Sequence, residues 1–233
     1  MGTRRWLGFA LTLGLVTAGT GQAQGGRLHP AITGGVVFST WTGSDVGSGA
    51  NYRTGVQGGA TLAYDLSPII ALQTGLIYSQ EGVTADLGSG VSGTFKLDYL
   101  RVPVYLRVRF SGSAAASIRP YLFAGPVVGF KVNCSVEASS SGNSASADCD
   151  QLSSAGIEIV GTDFDGRFGV GADFGRFEIY GHYQIGFKSV IHAVSTGPTA
   201  PPAPPMAGSL MAGSSSDPDV KNQGFAIGVA FGF

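Results

Sequence analysis

Between Leu100 and Phe110 the chain alternates with a period of two. Leu100, Val102, Val104, Leu106, Val108 and Phe110 occupy one parity, and Arg101, Pro103, Tyr105, Arg107 and Arg109 the other. A β-strand sends successive side chains to opposite faces, so one face here is apolar and the other carries three arginines. Soluble sheets rarely set six consecutive apolar positions opposite three arginines, whereas a strand between lipid and a polar lumen does so by necessity. The last nine residues repeat the pattern, with Phe225, Ile227, Val229, Phe231 and Phe233 separated by nothing larger than alanine.

Composition agrees with β-structure in lipid. The chain of 233 residues is 43% hydrophobic but only 12% charged, against about 25% charged in a typical soluble domain. Beyond the N-terminal stretch, no apolar run approaches the roughly 20 residues of a membrane-crossing helix. Instead there are 38 glycines and short, turn-bounded apolar runs. A net charge of -1 gives no electrostatic case for nucleic acid as a partner.

Eight segments carry the alternation: 31–42, 52–65, 69–81, 95–110, 119–133, 163–174, 177–188 and 223–233. Short links at Leu66-Ser67-Pro68, around Gly175 and at 111–118 alternate with long ones at 43–51, 82–94, 134–162 and 189–222. Short periplasmic turns and long extracellular loops have this rhythm, and an even strand number puts both ends of the sheet in the periplasm. The predicted fold is all-β, an eight-stranded antiparallel up-and-down transmembrane β-barrel, closed because an open edge leaves backbone groups unpaired in lipid. Tyr64, Phe110, Phe174, Phe177 and Phe233 near the short turns, with Trp41, Tyr52, Tyr78 and Phe187 near the long loops, predict two interfacial aromatic girdles.

The N-terminus predicts export. Arg4 and Arg5, the uncharged apolar stretch from Trp6 to Val16, and Gly21-Gln22-Ala23 follow the order of a secretory signal peptide. Cleavage after Ala23 leaves 24–233 as the barrel domain, delivered through Sec to the bacterial outer membrane. Its surroundings there are outer-membrane lipid and lipopolysaccharide. Phe225, Ile227, Val229, Phe231 and Phe233 resemble the C-terminal signal that the barrel assembly machinery recognises, which makes that machinery an expected partner during biogenesis.

Three stretches carry a family resemblance: Leu72-Gln73-Thr74-Gly75-Leu76-Ile77-Tyr78-Ser79-Gln80-Glu81-Gly82, Tyr99-Leu100-Arg101-Val102-Pro103-Val104-Tyr105-Leu106-Arg107 and Pro120-Tyr121-Leu122-Phe123-Ala124-Gly125-Pro126. They look like the PorT-like outer-membrane β-barrel family of Bacteroidetes-type bacteria, and the resemblance extends over nearly all of the mature chain. Members tend to carry an acidic residue where this sequence has Arg101, so lumen charge pairing cannot be carried over from the family. The resemblance implies a barrel without an assigned enzymatic activity. The name-giving member is associated with secretion and gliding, a role not transferred to this chain; an extracellular or secretion-system protein stays open as a partner.

The lumen parity collects Arg53, Arg101, Arg107, Arg109 and Lys131 alongside Glu81, Asp163, Asp165, Asp173 and Glu178. An eight-stranded barrel is just wide enough to be filled by side chains, and unpaired buried ions are costly. These residues are therefore expected to form an ion-pair network that plugs the lumen. Asp163 and Asp165 sit in a DxDG string that lacks the further oxygen ligands of a calcium loop, so no metal or other cofactor is expected. Cys134 and Cys149 flank a Ser-rich segment and in an exported protein read as a disulfide. His192 and Ser195 are near enough in sequence for a nucleophile-base pair but have no identifiable orienting carboxylate. The expectation is thus a non-enzymatic protein with a structural or surface-interaction role through its loops; the alternatives are a lipid A deacylase or acyltransferase, or a component associated with a protein secretion system.

Overall fold

The computed structural model describes residues 28–86, 90–110, 118–140, 143–149, 157–193 and 218–233. The expected signal peptide and Ser195 lie outside them. Eleven strands occur among the described residues: β1 (Leu28–Thr42), β2 (Ala50–Asp65), β3 (Ile70–Asp86), β4 (Val91–Arg109), β5 (Arg119–Ser140), β6 (Asn143–Asp148), β7 (Ile157–Ile159), β8 (Thr162–Phe174), β9 (Phe177–Gly186), β10 (Ile191–Ala193) and β11 (Lys221–Gly232). Eight of these form an antiparallel ring in the order β1, β2, β3, β4, β5, β8, β9, β11. It closes where β11 pairs with β1, from Ala31 opposite Gly232 to Thr42 opposite Lys221. Closure leaves no wall strand with an open edge in hydrocarbon.

Side-chain parity sorts the two faces. On β4, Val104 is 43% exposed and Leu106 49%, while Arg101 is 0% and Arg107 4% exposed. Leu72, Leu76, Leu122, Phe168, Val170, Ile179 and Ile227 continue the exposed apolar belt around the ring. Such a surface is a hazard in water and is solvated in a bilayer. The ladder lapses towards β3 beside Pro103 and towards β5 opposite Pro126, neither of which has an N–H to give: register runs from Thr74 opposite Val104 to Ile77 opposite Arg101, and from Pro103 opposite Val127 to Leu106 opposite Ala124. The Thr74 hydroxyl bridges the first of these lapses by donating to the Pro103 carbonyl at 2.8 Å.

Several segments expected as loop are strand. β3, β4 and β5 continue beyond residues 81, 95 and 133, so 82–94 is largely a hairpin and 134–162 holds the end of β5 together with β6 and β7. The alternation that defines the wall persists there on a different chemistry. Val83, Phe95, Leu97 and Val136 point inward and are buried, forming an apolar core above the polar lumen with Ile159, Val190, Ile191 and Val220 from the loops. Trp41 belongs to this core. It packs against Phe95 at 5.0 Å and is 3% exposed, so it is not part of the lipid-facing girdle expected for it. Its odd parity places it with Val37 and Ser39 on the inner face of β1. Tyr52, Tyr78 and Phe187 remain exposed at that end, as do Tyr64, Phe110, Phe174, Phe177 and Phe233 at the other.

The facing of β4 can be tested directly. Val104→Arg places a guanidinium in hydrocarbon at a cost of about 2–4 kcal/mol near the midplane. The folded fraction, measured as the band that changes mobility on boiling in a detergent gel, should fall well below that of wild type and of Val104→Ile. Wild-type folding of Val104→Arg would reverse the assigned faces.

Candidate functional site

The lumen is filled in successive layers, and the most polar lies beneath the apolar cap. Arg101, from the inner face of β4, is its hub. Its Nε donates to Glu81 Oε1 at 2.6 Å, one terminal nitrogen reaches Asp163 Oδ2 at 3.0 Å, and the other pairs with Asp165. Glu81 also accepts from Ser79 at 2.8 Å and Gln184 at 3.1 Å, and Asp163 from Asn222 at 2.6 Å. Arg167 places a second guanidinium 3.5 Å from Glu81. Three carboxylates and two guanidiniums thus share one water-poor layer, contributed by β3, β4 and β8. In such surroundings a charge is tolerable only when paired and hydrogen-bonded.

Inward glycines make this density of large side chains feasible. A Cβ on Gly129 would lie 2.9 Å from the Arg101 guanidinium, and one on Gly171 would overlap the Tyr121 ring. Below the charge layer Tyr105, Tyr121, Phe123 and Val127 pack together with Tyr180, and His182 stacks parallel to Tyr180 at 6.1 Å. A cavity of about 30 Å³ remains beside them, room enough for ordered water. The lowest layer is ionic again. Arg107 pairs with Asp173 and Glu178 at 3.1 Å each and lies over the Tyr121 ring at 3.8 Å. Arg109 bonds Asp65 at 2.6 Å, and Asp65 also accepts from His29 at 2.8 Å. This layer floors a cavity of about 170 Å³ open at the short-turn end.

Of the expected lumen charges, Glu81, Arg101, Asp163 and Asp165 meet in the upper layer, and Arg107, Arg109, Asp173 and Glu178 in the lower one. Arg53 and Lys131 lie apart from both. Arg53 donates to the backbone carbonyl of Glu81, where the β2–β3 register slips between Tyr52 and Gln57. Lys131 donates to the carbonyl of Ile159, the last residue of β7, at 2.6 Å. Arg167, Gln184 and Asn222 join the upper layer although the charge set expected from sequence omitted them. The inward parity of Arg167 on β8 was the signal that could have placed it. Cys134 and Cys149 are disulfide-bonded, with their Cα atoms 5.5 Å apart. Phe225, Ile227, Val229 and Phe233 are exposed on the lipid side of β11, and Phe231 is half-buried there. Phe225 stacks on Phe38 at 4.7 Å and Phe231 meets Phe177 edge-on at 5.2 Å.

The arrangement sets an ion-paired layer around Arg101 and another around Arg107 on either side of the aromatic layer, whose small cavity is lined by Thr33, Gln57, Gln73 and His182 as well as by aromatic rings. Among the described residues, no group of three His, Cys, Asp or Glu side chains is disposed to hold a metal ion. His192 lies in β10 opposite Glu158 of β7, above the barrel. Residues 22–192 match the family model for the outer membrane protein beta-barrel domain. The chain belongs to that family. It is an integral β-barrel protein of the outer membrane. No curated protein matches its sequence. Among solved structures, the attachment invasion locus protein Ail of Yersinia pestis is 15% identical, with 89% of this chain and 100% of that chain covered and a TM-score of 0.40. Neisserial surface protein A is 10% identical over 88% and 97%, with a TM-score of 0.43. OprG of Pseudomonas aeruginosa is 14% identical over 88% and 95%, with a TM-score of 0.42.

Removing the hub should be more damaging than removing a pair. Arg101→Leu leaves three carboxylates facing one guanidinium, and breaking such buried pairing costs about 3–5 kcal/mol. In urea unfolding from lipid vesicles, followed by Trp41 fluorescence, the midpoint should drop sharply for Arg101→Leu. It should recover part of the way in the Arg101→Leu/Glu81→Leu double variant. A double variant no more stable than Arg101→Leu alone would contradict the pairing.

Proposed function

We propose that this protein is a closed, non-enzymatic barrel that serves as an outer-membrane platform for surface interactions through its extracellular loops. The observation that carries the reading is the distribution of mass along the barrel axis. Ion pairs and aromatic side chains fill the lumen, so the wall has no evident task as a channel. On the long-loop side, three strands continue above the wall, a disulfide fixes a hairpin, and β7 and β10 form a separate two-stranded sheet. Long loops on a rigid scaffold are where binding function concentrates.

The finer identity proposed is PorT-like, on the three stretches in β3, β4 and β5. Export through a signal peptide cleaved after Ala23, and assembly guided by the aromatic β11, complete the proposal. Lipopolysaccharide and lipid surround the belt, and the partner at the loops is an extracellular or secretion-system protein.

The test has two arms. In planar bilayers the purified protein should give no stable stepwise conductance, and lipid A from cells that express it should have the same acylation pattern as lipid A from cells that lack it. A large, reproducible single-channel conductance would replace the platform by a pore, and altered acylation would replace it by a lipid-modifying enzyme.

A further inference from the structure

The extracellular extension ends in an open sheet edge. β6 pairs only with the upper part of β5, from Ser135 opposite Asp148 to Ser140 opposite Asn143, and among the described residues nothing pairs with its other side. The direction of its backbone groups follows from one hydrogen bond. The Cys149 N–H donates to the Cys134 carbonyl at 3.3 Å, and in an antiparallel pair the bonded positions recur every second residue. Ala147 and Ala145 therefore also direct their backbone groups at β5. Those of Ser144, Ser146 and Asp148 point to the open edge.

Soluble edges are usually blunted by Lys, Pro, a bulge or a covering loop. The sequence of β6, Asn143-Ser144-Ala145-Ser146-Ala147-Asp148, has neither Lys nor Pro, and its register with β5 is unbroken. The disulfide between Cys134 and Cys149 pins the base of this hairpin, so the edge is held in extended form rather than left to fray. Such an edge is a template for an added strand.

Charge and side-chain size indicate what fits. The outer face beside the edge is a polar concavity of about 440 Å³, with Lys96, Ser135, Glu137, Ser144, Ser146 and Asp148 around it. Lys96 is paired with Glu137, which leaves the Asp148 carboxylate without an ion pair among the described residues. The opposite face of β6 presents Ala145 and Ala147. We infer that β6 docks an extended peptide segment of a partner protein by β-strand addition, with hydroxyl and basic side chains on the Asp148 face and small side chains on the alanine face.

A second copy of this chain fits less well. Antiparallel pairing of two identical edges requires a two-fold axis perpendicular to the sheet. β5 runs without interruption from the barrel wall into the extension, so that axis lies in the membrane plane and would invert one of two barrels in the same membrane. It would also bring two acidic edges together.

This inference rests on the surface-interaction reading and names its mode. The test is amide hydrogen exchange on the full-length protein in detergent micelles, with a capped Lys-Ala-Thr-Ala-Lys-Ala peptide as probe and its Glu-for-Lys counterpart as control. In the free protein the amides of Ser144, Ser146 and Asp148 should exchange at least about tenfold faster than those of Ala145 and Ala147. The Lys peptide should slow the outward amides about tenfold, and the Glu peptide should leave them unchanged. Ser146→Pro removes an outward N–H while sparing the bonds to β5, so it should abolish the peptide effect with Ala145 and Ala147 still protected.

Three results overturn the inference. Outward amides already slow at every protein concentration would mean that the chain covers its own edge. Outward amides slow only at high protein concentration would mean a second copy. No slowing by the Lys peptide would mean no strand addition. Each leaves the conductance and lipid A measurements untouched, so failure of the docking mode is distinguishable from failure of the platform.

Discussion

Backbone polar groups in hydrocarbon must be paired, and this constraint underlies the whole structure. Each unmet N–H or C=O in lipid costs several kcal/mol, as unmet polar groups do in any apolar medium. A sheet meets that demand only by closing on itself, and here closure depends on the pairing of β1 with β11 over twelve register positions. Once eight strands close, the lumen has the width of a few side chains, and the inward parity of every strand must fill it. Charge on that parity can then persist only as mutual pairing. The layer around Arg101 and the layer around Arg107 are thus consequences of ring size as much as of sequence.

The same constraint explains where small residues fall. Arg101 and Tyr121 need lateral room that a neighbouring Cβ would take, and Gly129 and Gly171 provide it from the adjacent strands. Above the membrane the rule relaxes, because water can serve backbone groups. There β3, β4 and β5 continue with apolar residues facing inward, and the loops supply Ile159, Val190 and Val220 to cap them. The cap keeps the upper ion-pair layer dry from the extracellular side, which strengthens the pairing below it. The open edge of β6 lies only in this upper zone, where an unpaired backbone is affordable.

Much of the wall was legible because period-two alternation with opposed chemistry has few other interpretations. The eight wall segments, the facing of Val104 against Arg101 and the inward placement of Glu81, Asp163 and Asp165 all follow from parity. Parity is silent on height: it places Lys131 with the lumen charges, although the side chain bonds the Ile159 carbonyl at the end of β7. A position near a strand end predicts a girdle for Trp41, yet its odd parity on β1 places it inside. The upward continuation of β3, β4 and β5 is not legible in the sequence because Ser, Gly and Thr dilute the apolar signal in 82–94 and 134–140. Arg167 shows the reverse: its parity was right, but its partner Glu81 comes from β3, which is not adjacent to β8 in the ring, and no local pattern specifies that meeting.

The account stands on an inward charge layer sealed from both lipid and bulk water. The direct measurement is nuclear Overhauser contact from protein side chains to acyl chains and to water, recorded on isotopically labelled protein in lipid nanodiscs. Val104, Leu106, Leu122 and Ile227 should show acyl-chain contacts. The Arg101 guanidinium should show none, and should have slow water exchange together with contacts to Tyr99, whose ring it overlies at 4.5 Å. Acyl contacts at Arg101, or rapid water exchange of its guanidinium protons in the folded protein, would contradict the sealed layer.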